Sequence, residues 1–266
     1  MNAYIFDVDG VITNPYKKQV KEKEILKIIA GKLKSNEPVA FNTGRTIQWV
    51  VDRVITPLLE LIEDKSVLRN LFVVGEKGGI WLTFDRNGKA VTKRDYSILM
   101  LQRLQDRLRT LAEKEFSDYV FYDDKKQTMI TLEVKDDVPL EKFNEIHPLL
   151  NKRISEILSE EDPDHKFKFT PTTLDTDVEN VYVGKGFAIK RIIGWIVQRN
   201  IDIDRFVTFG DSPADAEMAH EIYSQEQPLI YVYVGEKPLE ENYPFETYIT
   251  HEKFDRGTLE YLTKNA

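Results

Sequence analysis

The 266-residue sequence contains no cysteine, which removes disulfides, thiolate metal sites and a thiol nucleophile from consideration together. It has no apolar run near the roughly 18 residues that a membrane-crossing helix needs. The opening Met-Asn-Ala-Tyr-Ile-Phe-Asp lacks both the basic region and the apolar stretch of a secretory signal. Basic charge is in the minority, with 37 Lys and Arg against 45 Asp and Glu and a formal net charge of −8. That balance disfavours non-specific binding to nucleic acid or anionic lipid. Nucleotide-binding signatures of the Gly-x-Gly-x-x-Gly or phosphate-loop lysine type are missing. The four histidines (His147, His165, His220 and His251) are scattered without metal-ligand spacing. These absences lead to the expectation of a soluble, cytoplasmic globular protein with neither nucleic acid nor membrane as partner. Its oligomeric state is not legible in the sequence.

What is present is ample material for a core: 41% hydrophobic and 11% aromatic residues. Short apolar runs alternate with helical periodicity. Ala3–Val8, Pro38–Asn42 and Leu71–Gly75 read as buried strands. Between them lie a helical pattern with Ile25, Leu26, Ile28, Ile29 and Leu33 on one face and a second helix over Thr46–Asp64, which Pro57 should kink near Ile55. Gly79–Phe84 should form a hairpin across Asp85-Arg86-Asn87-Gly88. The rhythm then changes to helix–strand–strand, repeated once. The first helix is expected over Ser97–Phe116, with Leu99 and Leu101 among its apolar positions, followed by strands at Tyr119–Tyr122 and Met129–Val134. The second runs from about Leu140 to Ser159, with Pro148 as a possible kink, followed by Phe167–Thr170 and a run ending at Val183. From Gly184 the alternation resumes, with helices at Ala188–Gln198, Ala214–Tyr223 and Arg256–Lys264 and strands at Phe206–Phe209 and Leu229–Val234. The fold class expected is therefore α/β, a Rossmann-like parallel sheet formed by residues 1–84 and 181–266, interrupted by an αββαββ unit at 85–180. Charged pairs such as Lys17-Lys18 and Glu240-Glu241 read as solvated surface.

Four short segments can carry chemistry. Asp7-Val8-Asp9-Gly10 lies where an apolar strand stops, and in an open parallel sheet the carboxyl ends of the strands line the ligand crevice. Two carboxylates there can share a divalent cation while one attacks, although Asp-x-Asp-Gly alone is equally a polar turn. Thr43-Gly44-Arg45 follows the second strand with a hydroxyl and exposed N–H groups suited to an anion, or else simply a helix cap. Asp211 and Asp215, at another strand end and one turn beyond, can approach one metal, although Asp211 alone reads equally as a cap. Lys185, between Gly184 and Gly186, opens a helix; a lone lysine of this kind is commonly surface. Together they supply a nucleophile, a metal site and donors for a tetrahedral dianion.

These motifs, in this order and these settings, resemble the haloacid dehalogenase-like superfamily. Asp7-Val8-Asp9-Gly10-Val11-Ile12-Thr13 resembles its first motif, Thr43-Gly44-Arg45 the second, Lys185 the third and Gly210-Asp211-x-x-x-Asp215 the fourth. The inserted unit is similar in position and order to a C2B cap, the type found in sucrose-phosphate and trehalose-phosphate phosphatases and in phosphomannomutase. Gly75-Glu76-Lys77-Gly78-Gly79 resembles the Glu-Asn-Gly segment that precedes such caps, with Lys77 in place of Asn. The resemblance implies a magnesium-dependent phosphatase of a small phosphorylated metabolite, a sugar phosphate. It implies Asp7 as nucleophile and Asp9 as proton shuttle, with Thr43, Gly44 and Lys185 on the phosphoryl group. Mg²⁺ would be held by Asp7, the Asp9 backbone carbonyl, Asp211 and Asp215. The cap is expected to select the substrate. A phosphomutase and a catalytically silent phospholigand-binding protein are the alternatives.

Overall fold

In a computed structural model the described residues are 1–239 and 242–265, so the Glu240-Glu241 pair lies outside them. The chain divides into two compact units, Met1–Arg94 with Gly184–Ala266, and Asp95–Val183. No helix among the described residues is long and apolar enough to cross a membrane.

The first unit is built on an eight-stranded sheet. Its elements in chain order are β1 (Asn2–Phe6), α1 (Lys23–Lys34), β2 (Val39–Asn42), α2 (Ile47–Val50), α3 (Thr56–Leu59), β3 (Leu71–Gly75), β4 (Ile80–Phe84) and β5 (Ala90–Arg94). The second unit follows with α4 (Gln102–Thr110), β6 (Val120–Tyr122), β7 (Met129–Val134), α5 (Leu140–Glu161), β8 (Phe167–Pro171) and β9 (Asp175–Asn180). The chain then returns to the first unit with α6 (Lys185–Gln198), β10 (Arg205–Gly210), α7 (Ala216–Ser224), β11 (Leu229–Tyr233), β12 (Glu246–Ile249) and α8 (Asp255–Lys264).

Strand order in the large sheet is β12-β11-β10-β1-β2-β3-β4-β5. The run from β12 to β3 is parallel, and the hairpin β4–β5 adds two antiparallel strands at one edge. β5 extends this sheet, so the unit runs on to Arg94, past the boundary expected at residue 84. Both faces of the sheet are covered, which explains why the strands read as unbroken apolar runs. Tyr4 and Phe6 of β1 pack with Ile25, Ile29 and Leu33 of α1, whereas Ala3 and Ile5 join Ile189, Ile192 and Met218 on the opposite face. The period of two along β1 thus feeds two separate cores.

Pro57 acts where the sequence places a kink. It has no N–H to donate and its ring crowds the carbonyl four residues back. The turn before it, Val51–Ile55, is widened, with the Thr56 N–H reaching the Val51 carbonyl. β12 is an element the periodicity does not reveal. It pairs in parallel with β11 at the sheet edge and is only half-buried.

In the second unit the antiparallel sheet has the order β6-β7-β9-β8. Leu104 and Leu108 of α4 and Phe143, Leu150, Ile154 and Ile157 of α5 pack with Val120, Ile130, Leu132, Phe167 and Val178 of the strands. The first helix starts later than expected, at Gln102. The Asp95 side chain accepts from the Ser97 N–H and caps a separate short turn, after which Leu99 and Leu101 are extended. Ile98 and Met100 are the residues buried there, and Leu101 is left 37% exposed. Pro148 is accommodated inside an unbroken α5.

Candidate active site

β10, β1 and β2 are adjacent and parallel, so their last residues lie along one edge of the sheet. Asp7 is the first residue beyond β1, and its N–H donates to the Phe209 carbonyl at 3.0 Å. Thr43 follows β2 and Asp211 follows β10. The loop after Asp7 is wound about a single acceptor. The Val8 carbonyl receives the N–H groups of Ile12 and Thr13 at 3.0 and 2.9 Å and the Thr13 hydroxyl at 3.1 Å. Val8, Val11 and Ile12 are fully buried beneath it. Gly10 has φ +75°, and a Cβ there would run into the Asp211 carboxylate. Glycine is therefore required both for the turn and for the closeness of the two carboxylate-bearing loops.

Lys185 stands at the start of α6. The Asn42 side-chain amide donates to its carbonyl at 2.9 Å, which ties this helix start to the end of β2. Its ammonium donates to Asp7 Oδ1 and, at 2.5 Å, to Asp215 Oδ1. The other Asp215 oxygen accepts from the Asp211 N–H, the Ser212 N–H and the Ser212 hydroxyl at 3.1, 3.0 and 2.8 Å. One oxygen from each of Asp7, Asp211 and Asp215 lies within 4.8 Å of the others. Asp9 is held apart from this group. Arg45 reaches it with Nε on Oδ2 at 3.0 Å and Nη2 on Oδ1 at 3.3 Å, and the guanidinium lies 5.2 Å from the Trp49 ring.

Thr43 is buried at 1% exposure, and its hydroxyl oxygen accepts from the Arg45 N–H at 3.1 Å. Gly44 lies against the methylenes of Lys77. The Gly75–Gly79 segment buttresses this loop: the Glu76 N–H donates to the Arg45 carbonyl and the Lys77 N–H to that of Thr43, both at 3.0 Å. Glu76 and Lys77 adopt φ +48° and +51° to do so, a conformation that non-glycine residues rarely take.

The electrostatics of the cluster follow from two buried carboxylates, Asp7 and Asp215, on one ammonium, with the half-buried Asp211 beside them. Burial raises the Asp7 carboxyl well above its usual range; Lys185 opposes this, and the neighbouring carboxylates reinforce it. Burial, then Asp215, pushes Asp211 up to about 7. Asp215 is also buried, yet Lys185 and the Ser212 hydrogen bonds outweigh that cost and hold it below the usual range. Lys185 is raised, because Asp215 and Asp7 together overcome the burial that would lower it. The site thus carries more negative charge than its own cation neutralises. An all-oxygen donor set with excess negative charge suits a hard divalent cation, so Asp7, Asp211 and Asp215 could hold one.

All seven residues singled out in the sequence fall on this edge of the first unit, with Asp9 and Thr43 beside the carboxylate cluster rather than in it. Arg45 was legible only as part of the Thr-Gly-Arg segment. Nothing in the spacing says that its guanidinium turns back onto Asp9.

No protein-family model matches the chain, and no curated protein is a significant match. Solved structures are similar to it across nearly the whole length. A trehalose-6-phosphate phosphatase related protein is 17% identical with a TM-score of 0.61, over 99% of this chain and 96% of the other. The C-terminal domain of trehalose-6-phosphate phosphatase from C. albicans is 14% identical with a TM-score of 0.67, over 99% and 91%. A C-terminally truncated IMP-nucleotidase from Plasmodium falciparum is 13% identical with a TM-score of 0.60, over 99% and 70%. The chain has the α/β fold of these proteins.

Proposed function

We propose that the chain is a phosphomonoester hydrolase of the haloacid dehalogenase-like superfamily that uses Mg²⁺ and acts on a small phosphorylated metabolite, a sugar phosphate. The observation that carries the reading is the gathering of Asp7, Asp211 and Asp215 around Lys185, with Asp9 held separately by Arg45. A nucleophile within a cation site and a separate side chain to carry the proton then meet at one strand edge. The sugar-phosphate preference rests on the likeness to trehalose-6-phosphate phosphatases in fold.

In this reading an Asp7 oxygen attacks phosphorus, the ester P–O bond breaks and an aspartyl-phosphate forms. Asp9 gives its proton to the departing alkoxide. It then takes a proton from the water that attacks phosphorus, releasing inorganic phosphate and free Asp7. Arg45 contacts both oxygens of Asp9 and so fixes the position of this side chain beside the cluster. Lys185 and Thr43 bind phosphoryl oxygens, and the N–H of Gly44 lines the same loop. Asp7, the Asp9 carbonyl and Asp211 are the proposed direct ligands. Asp215, whose oxygens already accept four hydrogen bonds, acts through water or through Lys185. A bound Mg²⁺ would supply the positive charge that keeps Asp7 ionised and screens it from the incoming dianion.

The test is phosphate release from a generic ester and from a panel of sugar phosphates and nucleotides, with Mg²⁺ or with EDTA. Turnover that needs Mg²⁺ and vanishes in Asp7→Asn is expected, with sugar phosphates preferred. Silence across the panel would sink the hydrolase reading, and a requirement for a bisphosphate activator would move it to a phosphomutase.

A further inference from the structure

Two arginines at the opposite edge of the large sheet form an electropositive site that the proposed chemistry does not use. Asn36 lies in the turn after α1, Arg69 and Asn70 immediately precede β3, and Arg199 follows α6. All lie at the amino ends of the parallel strands, whereas Asp7, Thr43 and Asp211 lie at their carboxyl ends. The separation is about one strand length, roughly 13 Å for a strand of four residues such as β2 at about 3.3 Å per residue.

The two guanidiniums are joined by a pair of asparagines. Arg199 Nη2 donates to Asn70 Oδ1 at 3.0 Å, and Arg69 Nη2 donates to Asn36 Oδ1 at 3.2 Å. The Asn70 amide donates to the same Asn36 oxygen at 3.2 Å and to the Leu33 carbonyl at 3.0 Å. Asn70 is 2% exposed, so the bridge is anchored in the core. Arg199 is further fixed over the Trp195 ring, 5.2 Å from its centre, and Trp195 packs on Phe72.

Neither guanidinium pairs with a carboxylate among the described residues. Glu37, next to Asn36, pairs with Lys32 at 3.6 Å, and both oxygens of Asp64 accept from Ser66. Burial, then the charge of Arg69, holds the Arg199 guanidinium below its usual range. In a chain of net charge −8, two cations placed together on neutral amides are an electrostatic cost that the Asp64 carboxylate, which interacts with Arg69, offsets only at one of them. Each fork has five N–H donors and spends one on the asparagines, so both retain donors in a fixed arrangement.

We propose that Arg69 and Arg199 bind a phosphate-type oxyanion, either free inorganic phosphate or the phosphoryl group of a small organic molecule. Planar forks suit bidentate contact with tetrahedral oxyanions, and the asparagine bridge supplies the preorganisation that surface arginines ordinarily lack. The site is independent of the proposed active site, so it stands or falls separately from the hydrolase reading.

The test follows the side-chain Nε–H resonances of Arg69 and Arg199 by NMR in the full chain. Inorganic phosphate is the titrant in one arm, the non-hydrolysable methylphosphonate in a second, and chloride at matched ionic strength is the control. Saturable shifts at both arginines with phosphate or methylphosphonate, exceeding those with chloride, are expected. A markedly tighter fit for one titrant identifies the source. Arg69→Gln, at an exposed position, should weaken binding read at Arg199 by about tenfold or more without altering phosphate release from a generic ester. The proposal is overturned if neither resonance saturates, if chloride has the same effect, or if Arg69→Gln leaves the Arg199 response unchanged.

Discussion

The metal-free protein should become less stable as pH rises through the neutral range, and Mg²⁺ should cancel that loss. Asp211 is the source of the effect that can be sized. Its carboxyl moves from an ordinary value of 3.8 in the unfolded chain to about 7 in the folded one, through burial first and the Asp215 charge second. Between these values the folded state holds a proton that the unfolded state has lost, so each added pH unit favours unfolding by about 1.4 kcal/mol. Over the whole window the loss comes to about 4 kcal/mol. It is absent below pH 3.8 and complete above about pH 7. Asp7 is shifted in the same direction and adds to the trend. Asp215 is shifted the other way, so its contribution is lost only in acid, below the ordinary carboxylate range. Lys185 is raised, and the stability it brings disappears only in strong alkali.

A unit of this size loses about 2–4 °C in Tm for each kcal/mol, so the fall between about pH 5 and about pH 8 should amount to roughly 5–15 °C in EDTA. Thermal unfolding followed by circular dichroism at matched ionic strength measures it. Adding Mg²⁺ should raise Tm more at the higher pH, because the cation neutralises charges that are present only there. Asp211→Asn should flatten the metal-free profile. It should also reverse sign with conditions, being more stable than wild type without metal at high pH and less stable with it. A metal-free Tm that is level or rises across this range would refute the reasoning, as would an Mg²⁺ stabilisation unchanged in Asp211→Asn.

Three substitutions probe the remaining geometry. Arg45→Met removes the two-point hold on Asp9 and should lower kcat by about 10- to 100-fold with little change in KM, since a displaced proton carrier costs rate rather than binding. Gly10→Ala puts a Cβ into a φ +75° turn and against the Asp211 carboxylate; it should cost about 1–3 kcal/mol and weaken Mg²⁺ binding, both read from Tm with and without the ion. Lys185→Met leaves Asp7 and Asp215 buried without their ammonium and should destabilise the metal-free protein by about 3–5 kcal/mol, less so in acid, while reducing phosphate release to background.

The parts of this site that were legible in the sequence are those that depend on local chain geometry. Asp7, Thr43 and Asp211 each follow a short apolar run, and a strand buried on both faces ends where the run ends. In a parallel sheet their positions on one edge then follow without any tertiary information. Lys185 and Asp215 were legible as helix-start residues, because glycine and proline mark the turns before them. What stayed hidden requires distances between segments remote in the chain. Arg45 meets Asp9 across 36 residues, and Asn42 holds the Lys185 carbonyl across 143. Neither contact leaves a periodic trace. β12 was hidden because an edge strand needs no continuous apolar pattern, and Glu246–Ile249 is half-polar. The late start of α4 was hidden for a different reason: Leu99 and Leu101 satisfy helical periodicity, but the Asp95 cap gives the chain a competing turn. The same division bears on the two charged clusters. The acidic one announces itself through motifs at strand ends, whereas the arginine pair at the other edge comes from turns before and after elements that are unrelated in sequence. Among the described residues its balance of charge, two guanidiniums on two amides, exists only in the folded chain.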